Sequence, residues 1–403
     1  MRLLHISDLH IGKRLHEQSL LEEQRHILGE LVKTAREQSA RAALIAGDVY
    51  DRSIPPVEAV DMLDDFITEL AESDISVFII AGNHDSAERL DFGARLMNRR
   101  GVYISGNSLQ TVKLSDEYGD VNIWLLPYMR SQSVAAALES AAVDTGKRNI
   151  ILAHQFVLSH GSGPQSGGSE SVVAGGLDAV DAGLFDKFDY AALGHIHRPQ
   201  HTGRDTVRYC GSPYRYSFDE CSHEKSAVIV DIREKPDKSN NSNNSKKPDK
   251  SKKSNLSVDF VKLIPKRDLY RLKCKLAELP LQYQSAPKDS YAEVTLTDDE
   301  PVADAISKVR EIYPNTLKLI IENRYSRGGT GAIHTLTGND VRMKTPLELF
   351  GGFFEEMNGA PLSEAQREFL TRAIETETHK ETGVKTETKT ETKTERGAGN
   401  ETC

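Results

Sequence analysis

Five short apolar runs, each ending in residues that can bind a metal, constrain this chain more than any other feature. Residues 3–7 lead into Asp8-Leu9-His10, and residues 42–46 into Gly47-Asp48-Val49-Tyr50-Asp51. Residues 77–81 lead into Gly82-Asn83-His84-Asp85, residues 150–153 into His154, and residues 190–193 into Gly194-His195-Ile196-His197. Short β-rich runs of this kind read as buried strands. Between them lie helical patterns at 20–37 and 56–72, with Pro55-Pro56 placed to open the second. Such alternation is the layout of an α/β domain. In α/β sheets, binding sites gather beyond the carboxyl ends of the strands. Five strand ends can therefore bring Asp8, His10, Asp48, Asn83, His154, His195 and His197 together, although nearly 190 residues separate the first from the last.

Oxygen and imidazole donors without thiolates suit manganese, iron or zinc rather than an iron–sulfur cluster. Seven ligands exceed the needs of one tetrahedral centre and suit two ions that share a carboxylate. Ions about 3.5–4 Å apart activate water and stabilise both oxygens of a phosphoryl displacement. Asp48 is the natural bridge, because Gly47 lets the strand end turn sharply. If extended, Asp8-x-His10 and His195-x-His197 each present both side chains on one face. Asn83 offers a neutral carbonyl oxygen, which leaves His84 as a proton donor rather than a ligand. His5 faces away from His10 and reads as a packed histidine.

Composition bounds the rest. A chain of 403 residues suits two domains plus tails, and 38% hydrophobic residues are ample for a core. No apolar run of about 18 residues occurs and no signal-peptide pattern opens the chain, so a cytoplasmic protein is expected. Cys210, Cys221, Cys274 and Cys403 show no CxxC spacing, against a zinc ribbon or a disulfide scaffold. A net charge of −9 is not that of a typical nucleic-acid binder, although bound divalent cations would reverse the local sign.

The chain divides into residues 1–232, an α/β domain; 233–257, a polar linker; 258–325, a small α+β unit; 326–374, C-terminal helices; and 375–403, a repetitive Glu-Thr-Lys-Thr tail. In the small unit, strands are expected at 258–263, 291–297 and 317–321 and a helix at 302–313. Two amphipathic helices at 346–354 and 363–374 carry Leu347, Leu349, Phe350, Phe353, Phe354, Phe369 and Leu370, apolar groups that call for a partner surface. The glycine-rich stretch 161–176 lacks phosphate-loop spacing and reads as a surface loop.

The ordered set DLH, GDVYD, GNHD, AHQ and GHIH resembles the calcineurin-like metallophosphoesterases. More narrowly, MRLLHISDLHIGK, GDVYDRSIPP, AGNHDS, GSPYRYSFDE and TPLELFGGFFEEMNGAPLSEAQREFL resemble the SbcD family of nuclease subunits. The resemblance implies two facing mixed β-sheets flanked by helices, with a smaller α+β capping domain that positions DNA and C-terminal helices that dock on an SbcC-like coiled-coil ATPase. It implies two manganese ions, with magnesium or another divalent ion as the alternative, one on Asp8, His10, Asp48 and His197, the other on Asp48, Asn83, His154 and His195. His84 would protonate the leaving 3′ oxygen or steady the transition state, with Asp51 and Asp85 behind the ligands. Asp85 read alone could equally cap a turn or helix. The expected activity is 3′–5′ exonuclease on double-stranded DNA ends and endonuclease on single strands or hairpins, in a heterotetramer with paired nuclease subunits. The alternatives are a phosphoesterase for small nucleotides or phosphoproteins, and a DNA-binding scaffold with a relic site.

Overall fold

The computed structural model describes residues 1–165, 179–234, 255–322, 345–358 and 361–383. Most of the glycine-rich stretch, most of the polar linker, the 326–344 approach to the C-terminal helices and the 384–403 tail lie outside the described residues.

The apolar runs form the inner strands of two six-stranded sheets. One sheet runs in the order Leu256–Lys262, Ser226–Ile232, Arg2–Ile6, Ala42–Ala46, Ser76–Ile80, Val102–Ser105. Its last four strands are mutually parallel, with Leu3 opposite Ala42 and Ala46 opposite Ile80. The other runs Gln200–Thr202, Arg204–Tyr209, Tyr190–Gly194, Arg148–His154, Gly119–Leu126, Gln110–Asp116, and its four central strands are parallel. Parallel strands buried on both faces carry continuous apolar runs, which is why Ala42–Ala46 has no exposed residue.

Alternate side chains divide between layers. Leu3, Leu44, Phe78 and Ile80 meet Ile123, Leu125, Ile150 and Leu152 in a core between the sheets. Leu4, Ile45 and Ile79 point the other way, against the helices Leu21–Glu37 and Val57–Glu72. Ile151 and Leu193 pack with Val134 and Leu138 of the helix Ser131–Ser140. Because the central strands of each sheet are parallel, Arg2–Ile6, Ala42–Ala46 and Ser76–Ile80 deliver the loops that follow them to one edge. In the second sheet Arg148–His154 and Tyr190–Gly194 end side by side, with Gly194 opposite His154.

The strand at 256–262 differs from its expected place. It pairs with Ser226–Ile232 as the edge of the first sheet rather than opening the small α+β unit. Its alternating Leu256, Val258 and Phe260 suit a one-sided edge strand in either place, so the pattern alone did not choose. The small sheet is Leu269–Cys274, Tyr291–Leu296 and Thr316–Ile321, accompanied by the helix Ala305–Ile312.

Compact units follow from the contacts: one is Met1–Leu272, Pro280–Val294 and Lys308–Lys318, the other Lys273–Leu279, Thr295–Ser307 and Leu319–Cys403. Within the first, the N-terminal turn of the Leu21–Glu37 helix holds the chain near 267. Glu23 is fully buried and accepts hydrogen bonds from the Arg267 amide at 2.9 Å and its guanidinium at 2.6 Å. The second holds the helices Pro346–Asn358 and Glu364–Gly383. Each begins in a reciprocal capping pair, Thr345 with Glu348 and Ser363 with Gln366, which satisfies amides that a helix start leaves orphaned. Phe350 and Phe369 are exposed there, while Leu347, Phe354 and Leu370 are half-buried.

Candidate metal centre

The strand ends do not run on extended, as the dipeptide spacing suggested. Asp8 (φ 53°), His10 (φ 42°), Asp48 (φ 46°) and His195 (φ 97°) all occupy the left-handed region. Residues with a Cβ rarely adopt it, and Asp and His do so more readily than most. Such strain collects at functional sites. The turns stay in register through backbone bonds beyond the strands, Asp8 N–H to Gly47 O at 3.0 Å and His10 N–H to Asp48 O at 3.0 Å. Three glycines make room: a Cβ on Gly47 would lie 2.3 Å from His154 Nδ1, one on Gly82 2.1 Å from Asp48 Oδ1, and one on Gly194 1.9 Å from the Ala46 carbonyl.

All seven expected ligands meet at this edge. His10 Nε2 lies 3.1 Å from His197 Nε2 and 3.6 Å from Asp48 Oδ2. His154 Nε2 lies 3.4 Å from the same Asp48 oxygen. Asn83 Oδ1 sits 3.1 Å from His154 Nε2 and 3.0 Å from His195 Nδ1. Asp8 accepts the His195 amide at 3.0 Å. Asp8, His10 and His197 can close on one ion, as can Asp8, Asp48 and His154, and His10, Asp48 and His84, with ligand atoms within 4.8 Å in each group. Asp48 thus stands between the two halves of the cluster.

The donors fit divalent cations. His154 gives its Nδ1–H to the Ala46 carbonyl at 2.8 Å, so its Nε2 lone pair faces oxygens of Asn83 and Asp48. His197 Nδ1 faces the Glu220 carboxylate at 3.1 Å, which turns its Nε2 lone pair towards His10 Nε2. Lone pairs aimed at one another need a proton or a cation between them. The charges agree: burial alone would lift the Asp48 carboxyl, but the His154, His10 and His84 imidazoles hold it well below the usual carboxylate range. Burial would lower His154 too, yet Asp48 raises it to about 9. His195, buried and near His154, is driven down to about 3.

The other expected residues sit around this cluster. His84 donates its amide to Asp48 Oδ1 at 2.9 Å, and its Nδ1 meets the Asp51 carbonyl at 2.9 Å. Asp51 reaches Lys13 at 2.7 Å and stands 3.7 Å from His10 Nδ1. Asp85 is directed at backbone amides rather than an imidazole: it accepts from Val49 at 3.1 Å, Tyr50 at 2.9 Å and Gly82 at 2.8 Å, tying the Asp48 and Asn83 loops together. Burial, with the nearby Asp48 charge, lifts its carboxyl to about 6. It is not the cap of the next helix; Ser86 takes that place. His5 is packed between the sheets, on the Tyr190 hydroxyl at 2.9 Å.

Three buried groups carry no assignment from the sequence. Gln24 donates to the Leu9 and His10 carbonyls at 3.2 and 2.7 Å and accepts the Gly12 amide at 3.0 Å, so one side chain braces the Asp8–His10 turn. Tyr216 adds a bond to Leu9 O. Glu220, the last residue of the GSPYRYSFDE segment, lies behind His197. The signal for Gln24 was a polar residue on the apolar stripe of Leu20, Ile27, Leu28 and Leu31. For Glu220 nothing local separated it from its neighbour Asp219.

Residues 1–199 match the calcineurin-like phosphoesterase family. The chain carries a calcineurin-like phosphoesterase domain. Residues 265–358 match the SbcD C-terminal family, described as the type 5 capsule protein repressor C-terminal domain. Among solved structures, a dimetal phosphatase from Danio rerio is similar at 11% identity and a TM-score of 0.33, over 57% of this chain and 92% of that one. The domain makes this chain a metal-dependent hydrolase of the phosphoesterase class, and its two facing mixed sheets are those expected. No helix among the described residues is long and apolar enough to cross a membrane.

Proposed function

We propose that this chain is a DNA nuclease subunit that cleaves phosphodiesters with two manganese ions and works with an SbcC-like coiled-coil ATPase. The observation that carries this reading is the joining, in one chain, of the donor cluster around Asp48, with Asn83 and His195 against His154, to a C-terminal region matching the SbcD family. Asp8, His10, Asp48 and His197 would hold one ion, and Asp48, Asn83, His154 and His195 the other. Divalent cations there supply Lewis acidity to the phosphodiester and lower the pKa of the attacking water. The protein's own share is placement and proton transfer. His84, with Nδ1 on the Asp51 carbonyl and its ring grouped with His10 and Asp48, can in its protonated form give a proton to the leaving 3′ oxygen. Asp51 steadies that ring through its backbone oxygen and holds Lys13 beside the site. Asp85 sets the loops that carry Asp48 and Asn83.

The proposed actions are 3′–5′ exonuclease on double-stranded ends and endonuclease on single strands or hairpins, with the cap expected at 258–325, less its first strand, positioning DNA and the helices within 326–374 docking the ATPase. The test is a hairpin oligonucleotide beside a chromogenic phosphodiester, each with manganese. Wild type should cleave both, and His84→Ala should lose about 10²–10⁴-fold on DNA while keeping its metal. Cleavage of the small ester alone would move the assignment to small phosphoesters.

A further inference from the structure

Behind the metal ligand His197 lies a closed ring of buried polar groups that the seven-ligand description leaves unused. His197 Nδ1 faces Glu220 Oε1 at 3.1 Å. Glu220 Oε2 takes a 2.6 Å bond from Lys225 Nζ, and the same ammonium reaches back to the His197 carbonyl at 2.9 Å and to Ser212 Oγ at 2.7 Å. Ser212 in turn donates to the Tyr214 carbonyl at 2.8 Å. His197 is 2% exposed, Glu220 and Ser212 0%, and Lys225 6%. A lysine and a glutamate so deeply enclosed are costly to fold unless their bonds are all met. Removing either partner alone would strand a charge.

The ring grips one ligand residue twice, by its imidazole and by its carbonyl. We infer that Glu220 is a positioning residue for the ion held by Asp8, His10 and His197, acting through His197, and that Lys225 locks Glu220 in place. A carboxylate on the far nitrogen of a ligand imidazole fixes its tautomer and makes the near nitrogen a better donor; losing such a partner costs about 10–100-fold in metal affinity. Asn83, His154 and His195 stand on the other side of Asp48, so the second ion should not feel the change.

The inference rests on the two-ion reading above, and calorimetric titration of manganese into the full, metal-free chain separates the two. Wild type should take up two equivalents. Glu220→Gln should weaken one of them about tenfold or more and leave the other unchanged. The pair Glu220→Gln with Lys225→Met, which strands no buried charge, should show the same one-site loss with a metal-free melting curve close to wild type. Equal affinity at both sites in either variant overturns the inference while the two-ion centre stands. Equal weakening of both sites overturns it too, since that is general damage to the fold. Wild type binding no manganese removes the underlying reading itself.

Discussion

Gly82→Ala strains the proposed centre without replacing a ligand. Gly82 lies outside the left-handed set, so alanine suits its backbone there. The obstacle is space: the new Cβ would lie 2.1 Å from Asp48 Oδ1 and 2.3 Å from the Asp48 amide nitrogen, where ordinary contact begins at 3.4 Å. A carboxylate can swing aside, but a peptide nitrogen cannot. The Asp48 backbone must therefore retreat by about 1 Å relative to the Gly82 loop, which also carries Asn83 and His84. That retreat pulls on the His84 amide bond to Asp48 and on the His10 amide bond to the Asp48 carbonyl. A displacement of about 1 Å costs about 10²-fold in rate. The assay is steady-state cleavage of a chromogenic phosphodiester at saturating manganese. Gly119→Ala is the control: it carries a left-handed φ of 96° in the turn of a hairpin, with nothing within 4 Å of its Cβ, and should lower stability but not the rate. Full activity in Gly82→Ala would refute the claim that the two loops are held in close contact at Asp48.

Acid should weaken the surface clasp at residue 22. Hydrogen bonds from Lys266 and Arg267 pull the Glu22 carboxyl down to about 2. A carboxyl depressed in the folded state stabilises fully above its unfolded value and loses that contribution as pH falls through the folded one. The melting difference between wild type and Glu22→Gln should be present at pH 6 and shrink steadily below about pH 4.5; a difference independent of pH would show the pairs are idle. Chelation offers a second check. An ion bound by the folded chain alone contributes about 2.7 kcal/mol at a hundredfold excess over Kd, so a chelator should lower Tm and manganese restore it. No shift in either direction would mean the cluster holds no ion.

Much of this centre could be read before folding, because two simple periodicities carry it. The buried runs announce strands, and parallel strands of one sheet end at the same edge, so Asp8, Asp48 and Asn83 had to be neighbours. The chain could not reveal the route by which side chains turn inwards. Alternation assumes extended backbone, and Asp8, His10, Asp48 and His195 abandon it one residue past their strands. Nor could it reveal bracing from a distance. Gln24 reaches the Asp8–His10 turn from a helix 14 residues on, and Asp85 spends its oxygens on amides 35 and 36 residues away. Those partners depend on packing between elements, which no local spacing encodes.

The same left-handed turns separate the roles of backbone and charge at Asp48. Asparagine, like aspartate, tolerates the region better than other residues with a Cβ, because its short polar side chain bonds locally. Asp48→Asn therefore keeps the turn at φ 46° and the oxygen that accepts the His84 amide, while removing the charge that His10 and His154 face. Asp48→Ala removes the charge and leaves the turn with a residue that resists it, at about 1–2 kcal/mol. Both variants should lose cleavage and at least one manganese equivalent. In metal-free urea unfolding, the alanine variant should fall below the asparagine variant by about 1–2 kcal/mol. Equal stability of the two would mean that the turn is held by the surrounding bonds whatever residue occupies it, and that the left-handed residues carry no strain of their own.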